Sequence, residues 1–184
     1  FHPDPTVKRQ SGFLMPQVID SSSLGLSFKL PYYKVISDNK DLTFTPRIFS
    51  ENEALFQNEY RQVNKNSKHI VDFSLKEKNS TSKTHFFSNS LTKLNMDIFD
   101  VSEIELNLET TSDQDYLKTH NIKSKINNNQ SLLKSFLIFR GNSRDMDLET
   151  KIEAYEDLTV DKSSDKYEYI FPSYKFSKRL PSNF

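Results

Sequence analysis

The chain has 184 residues, with 25 basic and 25 acidic side chains and no net charge; it is long enough to bury a core but lacks the long-range attraction that nucleic-acid binders rely on. Hydrophobic residues make up only 35%, and mean hydropathy is -0.68, yet there are fifteen Phe and eight Tyr. Disordered chains are poor in aromatics, so this balance excludes disorder and fits strands with one wet and one apolar face. Without cysteine neither a disulfide framework nor a thiolate metal site is available.

No apolar run nears the roughly 20 residues of a membrane helix; Phe136–Phe139 is typical of the longest. A barrel stays open, because its signal is alternation in short segments. The chain starts at Phe1 with no initiator Met and no secretory signal, which reads as a piece of a longer precursor.

Residues 1–10 are rich in proline and charge and are expected to be extended with no regular element of their own, within an entry segment over residues 1–20 that carries Ser11-Gly-Phe-Leu14. From residue 21 to 184 the pattern is that of an antiparallel meander of roughly ten strands. Leu24, Leu26, Phe28, Leu30 and Tyr32 share one face, with Gly25, Ser27, Lys29 and Tyr33 on the other. Asp38–Asp41 supplies a turn, and the partner strand carries Leu42, Phe44 and Ile48 against Thr43, Thr45 and Arg47.

Further strands are expected near Leu55–Val63, His69–Lys76, Thr84–Leu94, Val101–Thr111, His120–Ile126, Leu132–Arg140, Met146–Tyr155 and Lys166–Phe176. The cleanest alternation is Glu103–Glu109, where Ile104, Leu106 and Leu108 alternate with charged or amide side chains. Polar connections such as Asn64–Ser67 and Asn127–Asn129 supply turn formers where only three Gly exist. The predicted fold class is all-β, an antiparallel up-and-down meander. Periodicity alone does not say whether the apolar face meets lipid or a second sheet.

Catalytic motifs are absent: there is no Gly-X-Ser-X-Gly, no phosphate-binding glycine loop and no His-Glu-X-X-His. Glu103 and Glu105 share a strand face, as solvent exposure alone would arrange, and an enzyme is not expected. His2, His69, His85 and His120 show no metal-ligand spacing and read as surface or lumen residues. No cofactor is expected.

Pro31 and Pro46 interrupt the first two alternating segments, and each deletes a ladder hydrogen bond. With a turn near Asn39 they fall opposite each other or one step apart. Depending on parity, they weaken either the seam between these two strands or the outer edge of the first. In an arbitrary β protein they would mark a bulge or an edge strand.

Lys8-Arg-Gln-Ser-Gly-Phe-Leu-Met-Pro16, then Ser21-Ser-Ser, Gly25-Leu-Ser-Phe, Leu30-Pro-Tyr-Tyr33 and Thr43-Phe-Thr-Pro46, in that order and spacing, resemble the start of the outer-membrane barrel of the LptD family of lipopolysaccharide-assembly proteins. The similarity continues more weakly through Ser112–Leu117 and Tyr169–Pro172. Ser11, Gly12, Phe13, Leu14 and Pro16 then form the motif where the barrel begins. The resemblance implies that residues 21–184 are a partial outer-membrane β-barrel domain, the N-terminal part of a transmembrane β-barrel, with a lateral gate at the first barrel strand, loosened by Pro31 and Pro46, through which lipopolysaccharide reaches the outer leaflet.

The resemblance also implies the outer membrane of a Gram-negative bacterium as location, with the lipid bilayer around the barrel. An LptE-like plug lipoprotein and an LptA-like periplasmic bridge are the implied partners, the latter through an upstream domain absent here. Lys29, Arg47, Glu59 and Arg61, with Lys34, are candidates to line a polar lumen, although a solvated face would use the same residues. The chain departs from the family in lacking an aromatic closing strand and the cysteines that tie barrel to upstream domain in some members, so a sheet with two raw edges is expected. Two other readings remain at this point: a secreted or surface β-sandwich binding module, and an unrelated passive outer-membrane channel.

Overall fold

The computed structural model describes residues 9–180 apart from 23, 51–52, 79–80 and 162–164. Lys8, Ser23, His2 and residues 181–184, which the motif, histidine and terminal readings include, lie outside the described residues. The described strand segments are β1 (Gly12–Phe13), β2 (Gln17–Ser21), β3 (Gly25–Lys29), β4 (Tyr32–Ser37), β5 (Lys40–Phe49), β6 (Ala54–Val63), β7 (Ser67–Lys78), β8 (Thr81–Leu94), β9 (Val101–Thr111), β10 (Leu132–Asn142), β11 (Met146–Asp157) and β12 (Tyr167–Lys178). One short helix, α1 (Tyr116–Thr119), lies between β9 and β10.

All strands join one antiparallel sheet in which each pass pairs with the next, and the sheet is open, with β1 and β2 at one edge and β12 at the other. β3 and β4 meet β5 at the same offset, Lys29 facing Arg47 and Tyr32 facing Phe44. They are therefore one long strand interrupted at Leu30 and Pro31. β1 and β2 run along its other side, so the meander makes ten passes, as the turn spacing predicts.

Within the entry segment, the alternation of residues 12–21 lets β1 and β2 pair with the free side of β4 and β3, while residues 1–8 lie outside the described residues. One expectation is corrected. The segment His120–Ile126 is no strand; its alternating Ile122 and Ile126 pack into an apolar cluster under a long connection instead of joining a ladder.

The polarity of the sheet is inverted relative to a soluble protein. Phe28, Phe44, Phe56, Phe73, Phe86, Leu106, Leu108, Leu137 and Ile152 are 37–47% exposed, whereas Ser27, Asp41, Arg47, Asp72, Ser74, Lys76 and His85 are at most 9% exposed. Strand sterics send alternate residues to opposite faces, so one face is an apolar outer wall and the other a buried polar interior. A two-sheet sandwich buries the apolar face instead. The eight strands from β5 to β12 run ten to fourteen residues, enough for a tilted membrane strand of about 9–11 residues.

Among the described residues, the main apolar cluster lies where the connection between β9 and β10 folds back over the polar face. Phe49, Leu55 and Phe87 from the sheet meet Tyr116, Leu117 and Ile122 of that connection, with Leu133 and Leu158 alongside. Asn121, at φ 49°, turns the chain after α1, a left-handed conformation that asparagine tolerates. The connections at the opposite end of the strands are shorter, such as Asp38–Asn39 and Ser143–Asp145.

Two glycines sit where a side chain does not fit. Gly25 has φ 66° at the start of β3, and a methyl group on Gly141 would lie 2.7 Å from the Phe99 ring. Gly25→Ala is expected to cost about 1 kcal/mol through its backbone. Gly141→Val should cost about 1–3 kcal/mol by displacing Phe99 from the sheet; urea titration of the folded protein in detergent measures both, and an unchanged midpoint for Gly141→Val would refute the close approach.

Candidate functional site

Backbone direction around the two prolines follows from two hydrogen bonds. Leu30 donates to the carbonyl of Pro46 at 3.2 Å and Ser50 to that of Leu26 at 2.9 Å, so even-numbered residues of the long strand turn their backbone groups toward β5. Pro46 lies in a hydrogen-bonded pair with Leu30 and cannot return the bond, so its missing N–H weakens the seam between β3–β4 and β5. Pro31 faces the other way: its carbonyl accepts from Leu14 at 2.8 Å, and its missing N–H falls on the seam with β1–β2.

At that outer seam the pairing slips. Phe13 faces Tyr32, but Gln17 faces Lys29, so Leu14, Met15 and Pro16 lie against only Leu30 and Pro31. This is the geometry of a bulge, built from two prolines on adjacent strands. Ser11 accepts the Val35 N–H at 2.8 Å, Gly12 pairs with Tyr33, and the exposed Phe13 ring meets Tyr32 edge-on at 5.0 Å. Arg9 reaches across to Asp41 and to the Tyr33 hydroxyl.

On the polar face, the proposed lumen residues divide into paired and unpaired groups. Arg61 contacts Asp41 at 2.6 Å, and Glu59 takes Lys125 at 2.7 Å and Arg61 at 3.5 Å. Lys29 and Arg47 belong to no ion pair among the described residues; Arg47 donates to the Ser27 hydroxyl and the His120 carbonyl and lies over the Phe49 ring. Lys34 is exposed on the outer face. Glu103 and Glu105 both grip Arg140 at 3.1 Å, a structural use of the carboxylates.

Alternation alone did not single out the side chains that pin the β9–β10 connection. Tyr116, Ser74, His85 and Asp72 form a chain with contacts of 2.7, 2.5 and 3.3 Å. Directed as Tyr116 O–H to Ser74 to His85 Nδ1, with His85 Nε2–H donating to Asp72, it satisfies each group. The order Ser, His, Asp is that of a hydrolase triad, but Ser74, His85 and Asp72 are 1–2% exposed beneath Tyr116, so no substrate reaches the hydroxyl. Burial pushes the Tyr116 hydroxyl up to about 12 against the lowering effect of Ser74, and it remains a donor. Gln57 holds the Lys123 carbonyl at 3.0 Å, and Asn127 reaches Glu109 at 2.5 Å.

His69 bridges Ser67 and Ser90. Among the described residues no group of three or more His, Cys, Asp or Glu side chains is placed to hold a metal. The register that brings Asp72 beside His85, and Ser74 directly opposite it, is set by the length of the intervening turn; only that length could have pointed to the relay.

No family model matches the chain. A 56-residue stretch, 30% of the chain, is 46% identical to the LPS-assembly protein LptD of Yersinia enterocolitica. Over 80 residues, or 44% of the chain, identity to the protein of that name from Pseudoalteromonas atlantica is 32%, and over 57 residues, or 31%, identity to the one from Nitrosococcus oceani is 40%. The matched stretches are 7%, 10% and 8% of those three LptD proteins, so the chain corresponds to a small part of each.

Two outcomes are expected for the pinned connection. Leu117→Ala should cost about 2–5 kcal/mol and Tyr116→Phe about 1 kcal/mol, both seen as faster hydrogen exchange over residues 112–131 with β-sheet circular dichroism retained. A pH effect comes from His120. Its Nδ1–H donates to the Tyr116 carbonyl at 3.0 Å, and its buried Nε2 has no partner.

Burial lowers its pKa below the ordinary 6.5, with Lys76 and Arg47 adding, against the raising effects of the hydrogen bond to Tyr116 and of Glu53. A histidine held neutral in this way stabilises fully above 6.5, and the contribution is lost as pH falls through its folded value. The protection of residues 117–123, exchange measured against the intrinsic rate at each pH, should therefore fall below pH 6.5 in the wild type and show no such fall in His120→Phe.

Proposed function

We propose that this chain forms the first strands of an outer-membrane barrel that inserts lipopolysaccharide into the outer leaflet, as its similarity to LPS-assembly proteins LptD suggests. The carrying observation is the inverted polarity: a wall of exposed Phe, Leu and Ile suits lipid, and a buried face of paired charges suits a polar lumen. It weighs against a secreted sandwich. The twenty-residue connection 112–131 belongs at the outer surface, and the short turns at the periplasmic end, since barrels of this kind place their longer loops outside.

In this role the lateral gate lies at β1–β2. An opening in lipid exposes backbone groups at several kcal/mol each, and the bulge at Leu14, Met15 and Pro16 against Leu30 and Pro31 leaves fewer bonds to break. Pro31 loosens this outer seam and Pro46 the next one inward. The sugar part of the lipid passes along the face that carries Lys29, Arg47, Glu59 and Arg61. A plug lipoprotein like LptE and a periplasmic bridge like LptA complete the assembly, and the chain itself performs no catalytic step.

The test replaces Pro31 by Ala in the full-length protein. The restored N–H adds about 1 kcal/mol to the seam, so surface delivery of lipopolysaccharide should slow several-fold at normal protein level, and Pro46→Ala should have a smaller effect. Unchanged delivery in Pro31→Ala would sink the gate, and a chain that folds as a soluble monomer without detergent would sink the barrel.

A further inference from the structure

Lys29 and Arg47 stand directly across from each other on β3 and β5. Like charges in that arrangement repel and are ordinarily selected against in sheets. A third cation, Lys123, joins them from the β9–β10 connection, and all three line one cleft of about 430 Å³ together with Gln17, Asn121 and Thr119. Asp20 borders the same cleft, but its strand position pairs with Leu26, on the outer-facing parity.

The neighbouring carboxylates on this face are engaged elsewhere: Asp41 by Arg9 and Arg61, Glu59 by Arg61 and Lys125, Asp72 by Gln57 and His85. Arg47 is 7% exposed, and the partners of its guanidinium are a hydroxyl, a carbonyl and a ring face, none of them charged. A buried guanidinium with no ion-pair partner, beside two lysines with none of their own although Asp72 lies within electrostatic reach of Lys29, is an arrangement that an anion completes.

We propose that Lys29, Arg47 and Lys123 form a phosphate-binding site, and that its ligand is the phosphate group of a phosphorylated sugar. The inference rests on the polar face being the lumen of the barrel and names what one part of that face holds. Arg47 supplies the planar fork that matches two phosphate oxygens, and the lysines supply point charges on either side. Gln17 and Asn121 lie within the same cleft for sugar hydroxyls. Because Lys123 comes from the connection and Lys29 from the sheet, a bound phosphate also bridges the two.

The experiment uses the full-length protein folded in detergent and titrates it with glucose 1-phosphate, inorganic phosphate and glucose, read by calorimetry. Lys29→Glu is the central variant. It places a carboxylate across from Arg47, which should leave the barrel at least as stable to urea while weakening glucose 1-phosphate binding tenfold or more. Lys123→Gln should weaken binding several-fold with the same stability.

Tighter binding of glucose 1-phosphate than of inorganic phosphate, with none of glucose, supports the sugar-phosphate site, whereas equal binding of the two phosphates makes free phosphate the ligand and overturns the sugar assignment. Binding that survives both variants, or that glucose matches, overturns the site while leaving the barrel intact. A protein that shows no heat-modifiable barrel in detergent fails at the earlier step, and the site falls with it.

Discussion

Every polar group on the inner face must find a partner without help from a hydrophobic core, and that constraint organises the molecule. A charge taken out of water costs several kcal/mol unless it is paired, and this sheet buries Asp41, Asp72, Glu109 and Glu153 on its inner face. Cross-strand pairing answers it. Glu153 is held by Lys134 at 2.7 Å and Lys151 at 3.0 Å, Lys76 meets Glu53 at 2.6 Å, and Arg140 spans Glu103, Glu105 and Glu149. The pairs Lys134–Glu153 and Arg140 with Glu103, Glu105 and Glu149 cross from strand to strand, so they resist sliding of one strand past the next as well as holding charge.

The connection between β9 and β10 meets the same need by another route. Its backbone carbonyls at His120, Ile122 and Lys123 accept from Arg47, Gln130 and Gln57, while Tyr116, Leu117 and Ile122 bring the apolar surface that the sheet interior lacks. Polar capture and hydrophobic burial thus act on one segment, which is why twenty residues with a single turn of helix stay in place on a charged surface.

Strands were legible because their signal is local. Val101–Thr111 was expected and found to the residue, since Ile104, Leu106 and Leu108 alternate with Glu and Asn without interruption. Lys29 and Arg47 were legible as inward candidates by the same parity. What the chain does not display locally is offset. A bulge between Val35 and Ser37 moves the first hairpin by one residue; without it Pro31 and Pro46 would face each other, and with it they serve two different seams. Lys123, Tyr116 and His120 escaped notice as site residues because their place depends on a connection folding inward, a choice made by the apolar cluster and not by any periodicity in His120–Ile126.

The slip along β1 and β2 has a mechanical consequence. Because the two halves of the edge strand follow different offsets, with prolines at the junction, they are not a single zipper. The half containing β1 is tethered by Arg9 to Asp41 and Tyr33 and by Ser11 to Val35, whereas β2 holds to β3 through five facing residues. Such an edge peels in stages about a built-in joint, with one half remaining as a clasp that keeps the register when the other half closes again.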